Sequence, residues 1–385
     1  MRRISIFGAT GSVGANGVDL LMQAGGADVF DVVALTGGRN IARLAQMARD
    51  LRADVAVTAH EELLDDLRAA LAGSGIEAAA GRQALLEAAA RPADWVLSAI
   101  IGAAGLLPGL TALRHGATLA LANKESLVCA GGLMRRVAED HRATILPVDS
   151  EHSAIFQCLG NETLESVQHV TITASGGAFR DWPLERLAAA TVAEASTHPN
   201  WAMGQRITID SASMFNKAME IIETHEFFGL EPERIRVLVH PESIIHALVS
   251  HVDGGTIAHM GAPDMRHAIG YALNWPHRRP LPVAPLDLAA IGGLTFRTPD
   301  ETRWPALRLA REVMAAGGAA GAVFNAAKEQ ALDDFIAGRI GFTRMAPQVE
   351  ATLEALSARP GFGHDPADLD TVLEWDRAAR QEAAA

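Results

Sequence analysis

The sequence has little of what characterises secreted or membrane-spanning proteins. Only two of its 385 residues are cysteines, Cys129 and Cys158, and they form neither a CxxC motif nor a zinc-like spacing, which argues against a disulfide framework and a zinc site. We expect both to be buried thiols in a reducing compartment. No uncharged apolar stretch reaches the roughly 18 residues that a membrane span needs. The apolar run after Met1-Arg2-Arg3 stops at Gly8, which is also too short for a signal peptide.

Positive charge is scarce as well. Lys and Arg number 33 against 46 Asp and Glu, which gives a net charge of -13. Such an acidic balance argues against nucleic acid or an anionic membrane as a partner. It also means that local hydrogen-bond donors must hold any phosphate group of a ligand. We therefore expect a cytoplasmic protein that acts on a small molecule.

Hydrophobic patterning divides the chain into four parts. Residues 1–148 alternate short apolar strands with helices, which predicts a Rossmann-like, doubly wound α/β domain. Residues 149–274 are predicted to form an α+β catalytic domain. The proline-rich residues 275–300 are an expected linker, and residues 301–385 are predicted to form a C-terminal helical bundle. The predicted strands cover residues 4–7, 32–35, 55–57, 95–99, 118–121, 144–148, 170–173, 236–239 and 256–259, and predicted helices cover 41–51 and 63–72.

A glycine-rich loop follows the first predicted strand. Gly8, Gly11 and Gly14 have the spacing that permits a tight turn, close approach of a diphosphate and close packing of the next helix. The loop predicts a dinucleotide site, although a strand–helix turn without a ligand shows the same pattern. The second strand ends without an Asp or Glu for a ribose hydroxyl, and Arg39 instead favours the 2′-phosphate of NADPH. A solvated surface arginine is the alternative.

Two acidic segments predict a metal site. Asp149 and Glu151 end an apolar run, and side chains two apart on an extended chain point to the same face, so these carboxylates are expected to converge. Glu220 ends the second segment. Three convergent carboxylates suit a hard divalent cation such as Mg²⁺ or Mn²⁺. A dinucleotide site together with a hard-metal site implies hydride transfer and a polarised carbonyl.

The residues around the second acidic segment suit a phosphate group. Ser211 and Ser213 are expected to cap a helix on which Asn216 and Lys217 share one face with the acid. Ser175-Gly176-Gly177 adds a hydroxyl and exposed backbone amides. Together these groups predict a phosphate cradle, although each piece alone is more typical of a structural cap or turn.

Four more side chains are candidates for substrate contact. Lys124 follows a predicted strand, at the carboxyl end where polar side chains face the ligand crevice; a surface lysine is the alternative. His198 and Trp201 lie in the long stretch 175–205, predicted to be a lid loop with a short helix near residues 184–190. His246 is expected on a helix that reaches the same pocket, although an ordinary hydrogen-bonded histidine fits its spacing better.

Together these segments resemble the 1-deoxy-D-xylulose 5-phosphate reductoisomerase family over essentially the whole chain. The most specific are Asp149-Ser150-Glu151-His152 and Asn216-Lys217-Ala218-Met219-Glu220. The resemblance implies a homodimer that converts 1-deoxy-D-xylulose 5-phosphate to 2-C-methyl-D-erythritol 4-phosphate in non-mevalonate isoprenoid biosynthesis. It further implies NADPH and one divalent cation, Mg²⁺, Mn²⁺ or Co²⁺. Further matching segments are 8–14, 122–127, 147–148, 174–177, 198–201, 214–215 and 325–327.

The resemblance also implies roles for single residues. Arg39 stands where a lysine is common in the family, which keeps the charge but alters the geometry. The implied metal ligands are Asp149, Glu151 and Glu220, and the implied catalytic side chains are Lys124, Glu151 and His198. The implied substrate contacts are Lys124, Ser150, Glu151, Ser175, His198, Trp201, Ser211, Asn216, Lys217 and Glu220. The implied NADPH contacts are Thr10, Gly11, Ser12, Val13, Gly38, Arg39, Asn40, Asn123, Glu125 and Gly204.

Two other functions share parts of this pattern. An NADP-dependent homoserine or aspartate-semialdehyde dehydrogenase also joins a Rossmann domain to an α+β domain. The second of these needs a nucleophilic cysteine with a base beside it, and the first does not explain three acids at a hard-metal site. An NADPH-sensing binding protein would not need the acids at all. Metal-dependent oxidation of NADPH by a pentulose phosphate distinguishes the three.

Overall fold

The computed structural model describes residues 1–198 and 204–385. The chain divides into two compact units. Unit 1 comprises residues 1–126, 134–153 and 264–283, and unit 2 comprises residues 127–133, 154–263 and 284–385. Among the described residues, no helix combines the length and the apolar character needed to cross a membrane.

Unit 1 is built on a seven-stranded sheet in which every pair is parallel. The strand order β4-β3-β2-β1-β5-β6-β7 reverses direction between β1 and β5, as in doubly wound folds, so the predicted fold class is confirmed. The loop after β1 therefore lies at the switch point, where such sheets bind ligands. The strands are β1 Arg2–Phe7, β2 Phe30–Gly37, β3 Val55–Thr58, β4 Glu77–Ala80, β5 Trp95–Ser98, β6 Thr118–Leu121 and β7 Thr144–Pro147.

Six of these strands were predicted, and β4 was missed. Its sequence is Glu-Ala-Ala-Ala, which has no β-branched or aromatic residue and favours a helix by local propensity. Pairing with β3 overrides that preference. The helices that begin in unit 1 are α1 Ser12–Gln23, α2 Ile41–Asp50, α3 Leu64–Ala70, α4 Gly81–Ala90, α5 Leu106–Arg114, α6 Lys124–Asp140, α7 Ser150–Leu159 and α11 Met265–Asn274.

Helix α11 packs with unit 1, although its residues were expected in the second domain. It buries Ile269 and Leu273, and the Trp95 indole donates a hydrogen bond to the Ala272 carbonyl at 3.1 Å. Helix α11 thus packs against α1 and against strands β6 and β7. The contacts divide the chain into two units, whereas the sequence predicted four parts. The assignment of those parts as functional domains stays a prediction.

Unit 2 contains a mixed four-stranded sheet in the order β11-β10-β8-β9. Strand β8 pairs parallel with β9 and antiparallel with β10, and β10 pairs antiparallel with β11. The predicted helix around His246 is wrong, because this residue lies in β10. The run Ile-His-Ala-Leu-Val is rich in residues that favour a strand, and pairing on both edges makes it an inner strand. The strands are β8 Val167–Ala174, β9 Ile235–Val239, β10 Ile245–His251 and β11 Thr256–Met260.

The remainder of unit 2 is helical. The predicted helical character of residues 301–385 is confirmed, and contacts group these helices with the four-stranded sheet in one unit. Helix α14 lies at its centre, against α15 and α16, and buries most of its side chains. A 3-10 helix at Leu184–Ala189 confirms the predicted short helix. The helices are α8 Val192–Ala195, α9 Gln205–Ala212, α10 Phe215–Phe228, α12 Leu288–Ile291, α13 Ala306–Ala316, α14 Ala320–Ile336, α15 Met345–Ser357 and α16 Leu369–Ala383.

Candidate active site

The glycine-rich loop after β1 forms a tight cradle. Gly8 has a φ of 86°, and a Cβ there would lie 2.5 Å from the Ala99 carbonyl oxygen. A Cβ on Gly14 would lie 2.1 Å from the Gly8 carbonyl oxygen, so only glycine permits the helix to approach this closely. Helix α1 follows Gly11 without a side-chain cap, which leaves its first amides available for an anion. This geometry fits a diphosphate group.

The predicted NADPH residues after β2 are accessible. Arg39 is exposed and forms a 3.2 Å ion pair with Glu62, an acid that the sequence analysis did not single out. Asn40 caps α2 by accepting a hydrogen bond from the Arg43 amide at 3.2 Å. A Cβ on Gly38 would have no neighbour within 4 Å, so the backbone there faces open space. Arg39 can meet a 2′-phosphate only in competition with Glu62.

Asn123 is buried and holds the loop that follows β5. Its side-chain amide donates to the carbonyls of Ile100 at 2.6 Å and Gly102 at 2.9 Å, and to Glu125 at 3.0 Å. Its carbonyl oxygen accepts from the Ser126 amide and so caps α6. The Asn123 side chain therefore holds the backbone of the loop after β5 against the start of α6, whose first residue is Lys124.

Lys124 and Asp149 form an ion pair at the carboxyl ends of the neighbouring strands β6 and β7. The ammonium nitrogen lies 2.7 Å from a carboxylate oxygen, and both side chains are almost buried. Burial by itself would raise the pKa of Asp149, but the charge of Lys124 and the nearby His152, whose Nδ1 lies 3.7 Å from the carboxylate, outweigh it and hold this pKa well below its usual range. The carboxylate is thus ionised throughout the neutral pH range, as a metal ligand must be.

Asp149 and Glu151 converge, although the expected reason is wrong. The chain is not extended here, because Glu151 lies in the first turn of α7. Asp149 instead stands at the helix start, where one of its oxygens accepts from the Glu151 amide at 3.4 Å. The carboxylate oxygens of the two residues lie within 4.8 Å of each other, and Ser150 Oγ donates to Glu151 at 2.5 Å. Two carboxylates so placed fit a hard divalent cation.

The start of α10 groups three of the predicted residues. Asn216 donates to one carboxylate oxygen of Glu220 at 2.5 Å, and the Lys217 ammonium contacts the other. The predicted shared helix face is therefore confirmed. Lys217 and Glu220 are buried, whereas Asn216 remains partly exposed. The donors of Asn216 and Lys217 therefore bond to a carboxylate that is almost completely shielded from solvent.

Ser211 and Ser213 do not cap α10, so that prediction is wrong. Ser211 belongs to the last turn of α9, and Ser213 Oγ donates back to the Ile209 carbonyl at 3.0 Å. Between the two helices Met214 has a left-handed φ of 61°, which gives a sharp corner instead of a serine cap. The corner leaves the Ser211 side chain partly exposed.

Ser175 and His198 contact each other in unit 2. Ser175 Oγ lies 2.9 Å from His198 Nε2, and it accepts from the Gly177 amide at 3.2 Å. Burial and, secondarily, the charge of Arg180 lower the pKa of His198 to about 4. The imidazole is therefore neutral near pH 7. Trp201 lies outside the described residues.

One buried contact near these residues was not predicted from the sequence. The Lys328 ammonium donates to Asp210 at 3.1 Å, a buried pair that joins α14 to α9. Gly204 immediately precedes α9 and is exposed. Cys129 and Cys158 are buried thiols, as expected. Motif spacing could not reveal the contact between Asp210 and Lys328, because these two residues are more than a hundred positions apart in the sequence.

Three family models match the chain. A model of 1-deoxy-D-xylulose 5-phosphate reductoisomerase matches residues 4–131, a model of its C-terminal domain matches residues 145–228, and a second C-terminal domain model matches residues 260–382. Together the matched residues cover most of the chain.

Curated relatives and solved structures agree with these matches. The 1-deoxy-D-xylulose 5-phosphate reductoisomerase of Paracoccus denitrificans (strain Pd 1222) is 73% identical over 384 residues, which cover 100% of this chain and 98% of the relative. That of Ruegeria pomeroyi is 68% identical, with 100% and 97% covered. The structure of the reductoisomerase from Zymomonas mobilis in complex with NADPH has a TM-score of 0.92 at 45% identity, with 100% and 97% covered. A DOX-P reductoisomerase in complex with NADPH, fosmidomycin and magnesium has a TM-score of 0.93 at 36% identity, with 100% and 98% covered.

Proposed function

Because the chain belongs to the 1-deoxy-D-xylulose 5-phosphate reductoisomerase family, we propose that the side chains described above form the active site of that enzyme. The chain is an NADP-dependent oxidoreductase that converts 1-deoxy-D-xylulose 5-phosphate to 2-C-methyl-D-erythritol 4-phosphate with a divalent cation. The observation that carries the residue assignment is the Lys124–Asp149 pair, which stands at the strand ends of the same sheet as the dinucleotide loop. The dehydrogenase and sensor alternatives do not account for this pair.

NADPH supplies the hydride when bound. The glycine cradle at Gly8 and the uncapped start of α1 support the diphosphate assignment, because both present backbone amides. Arg39, once released from Glu62, supplies charge for the 2′-phosphate. The proposed NADPH contacts are Thr10, Gly11, Ser12, Val13, Gly38, Arg39, Asn40, Asn123, Glu125 and Gly204.

Asp149, Glu151 and Glu220 are the proposed ligands of the divalent cation, for which Mg²⁺, Mn²⁺ and Co²⁺ are the candidate ions. When bound, the cation supplies Lewis acidity that polarises the substrate ketone and orients a neighbouring hydroxyl. Oxygen donors of this kind suit all three ions. Lys124 fixes the carboxylate of Asp149 through an ion pair, and Asn216 and Lys217 orient the carboxylate of Glu220.

Lys124 is the proposed proton holder of the reaction. Its ammonium lies 2.7 Å from an Asp149 carboxylate oxygen, which holds it at the strand ends. A fixed ammonium beside the strand ends stabilises negative charge that develops on a substrate oxygen. Ser150 and Glu151 contribute a hydroxyl and a carboxylate on the adjacent helix start, and we assign both to the substrate hydroxyl groups.

The proposed phosphate site is formed by Ser175, Ser211, Asn216 and Lys217. Each contributes a hydroxyl, amide or ammonium donor, which suits a phosphate held by local groups in an acidic protein. His198 is neutral near pH 7 and contacts Ser175, so it offers a hydrogen bond without adding charge. His198 and Trp201 are proposed to cover the substrate and exclude water from it.

The homodimeric state and cytoplasmic location are proposals that rest on the family resemblance. Light scattering coupled to gel filtration tests the first of them. A particle of monomer mass at the concentrations used for activity assays would contradict it.

The central test of the proposed function is the oxidation of NADPH by purified protein. We expect the absorbance of NADPH to fall only when both 1-deoxy-D-xylulose 5-phosphate and a divalent cation are present, and a chelator to stop the reaction. Homoserine and aspartate semialdehyde serve as matched alternative substrates. Turnover of either alternative, or turnover in excess chelator, would contradict the assignment.

A further inference from the structure

Two adjacent residues just before α13 donate hydrogen bonds to two segments that carry proposed phosphate ligands. Arg303 donates from its two terminal nitrogens to the carbonyls of Phe179 at 2.8 Å and Trp182 at 2.5 Å. These carbonyls belong to the turn that follows Ser175. Because one planar guanidinium holds both, it fixes the turn as a unit.

Trp304 holds the other side. Its indole nitrogen donates to the carbonyl of Ala212 at 3.2 Å, and its ring is buried. Ala212 ends α9 and directly follows Ser211. Asp210, on the other side of that serine, is held by Lys328 at 3.1 Å. Ser211 is therefore flanked by two anchored residues.

The two sides touch at Gly177. A Cβ on this glycine would lie 2.5 Å from the Ala212 Cα and 2.7 Å from the Ser211 carbonyl oxygen. The turn after Ser175 and the end of α9 are thus in direct backbone contact.

Backbone hydrogen bonds hold the segment that carries the two residues. The Asp300 carbonyl accepts from the amides of Arg303 at 3.1 Å and Trp304 at 3.0 Å. Helix α13 then begins at Ala306 and packs against α10, whose first turn carries Asn216 and Lys217. The segment that carries Arg303 and Trp304 is therefore hydrogen-bonded to the segments of Ser175 and Ser211, and the helix that follows it packs against the helix of Asn216 and Lys217.

We propose that Arg303 and Trp304 are positioning residues of the phosphate site, Arg303 through the turn that follows Ser175 and Trp304 through the segment that carries Ser211. The inference rests on the proposed function. Neither side chain touches the substrate; each sets the spacing of donors that do. Their loss should weaken ground-state binding of the phosphate and leave the chemical step nearly unchanged.

The test uses Trp304→Phe, which removes the indole N–H together with part of the buried ring, and the pair Arg303→Lys and Arg303→Met. We expect Trp304→Phe to raise KM for 1-deoxy-D-xylulose 5-phosphate by about 3- to 10-fold, with kcat and KM for NADPH within about twofold. Arg303→Met should raise the substrate KM more than Arg303→Lys, because lysine still reaches one carbonyl. Trp375→Phe and Arg359→Lys, which contact each other at α16 and have no part in the segment 300–305, are the matched controls and should leave KM unchanged.

The double variant Trp304→Phe/Ser211→Ala separates positioning from general support. If Trp304 acts through Ser211, the double variant should lose little beyond Ser211→Ala alone. An unchanged substrate KM in Trp304→Phe overturns the inference, as does a joint rise of both KM values with a lower Tm. If Ser211→Ala is also silent, the proposed phosphate site fails with it; if only Trp304→Phe is silent, the phosphate site stands.

Discussion

The two units each contain a buried lysine–carboxylate pair, and the pairs are built in different ways. Lys124 and Asp149 come from the ends of two neighbouring parallel strands and meet only because the sheet places β6 beside β7. Lys217 and Glu220 are three residues apart on α10 and meet by helix periodicity alone. The first pair therefore depends on tertiary topology and the second on local structure. The strand-end pair is the more open one, since its side chains are 11% and 12% exposed against 4% and 2%.

The largest expected effect concerns the carboxylate of the helical pair. Glu220→Gln should lower kcat by at least about 1,000-fold, because a divalent site with few protein ligands loses one charge. NADPH affinity should stay within a few-fold, because Glu220 is not among the proposed NADPH contacts. Steady-state kinetics and NADPH titration measure the two quantities. Glu226→Gln, on the same helix, is the control; near-normal turnover of Glu220→Gln at limiting Mg²⁺ contradicts the metal assignment.

The second prediction compares the lysines directly by the free energy of unfolding. Lys217→Met leaves Glu220 buried without its cation and should cost about 3 kcal/mol. Lys124→Met should cost less, about 2 kcal/mol, because the nearly buried Asp149 keeps its contacts with His152 and the Glu151 amide. Urea titration of both variants at neutral pH measures the difference. Adding Glu220→Gln to Lys217→Met should restore part of the loss, and equal costs for the two lysines would refute the contrast.

The same contrast explains what the sequence could predict. The strands rich in Val, Ile and Leu and the shared face of Asn216, Lys217 and Glu220 follow from local periodicity, so both were predicted. Strand β4 and the β10 strand around His246 were missed or misassigned, because local propensity was overridden by pairing with neighbouring strands. The Lys124–Asp149 contact required the strand order. Trp304 donating to Ala212 joins residues far apart in the chain, and no motif marks it.

A smaller effect is expected from the pH dependence of stability in unit 2. Burial and Arg180 lower the pKa of His198 from 6.5 to about 4, so the folded state binds fewer protons than the unfolded state between these pH values. Stability should therefore fall as pH decreases through this window. His198→Asn should flatten that part of the curve, measured as Tm against pH. An unchanged slope in the variant would show that His198 does not carry the effect.

The smallest expected effect is at the exposed pair of Arg39 and Glu62. Arg39→Ala should raise KM for NADPH far more than for NADH, because only NADPH carries the 2′-phosphate. Glu62→Gln should have the opposite and weaker effect, lowering KM for NADPH by about twofold, since an exposed ion pair is worth little. Kinetics with both cofactors measure the ratio. Equal changes for NADPH and NADH would show that Arg39 is a surface residue.

The most direct test of the proposed active site is the binding of a short phosphonate that carries a hydroxamate. Its phosphonate matches the donors Ser175, Ser211, Asn216 and Lys217, and its two hydroxamate oxygens match a divalent cation held by carboxylates. Calorimetric titration should show binding only with Mg²⁺ present, and both Ser211→Ala and Glu220→Gln should weaken it. Trp201→Phe should remove most of the change in tryptophan fluorescence that accompanies binding. Tight binding in excess chelator, or unchanged affinity in both variants, would contradict the account.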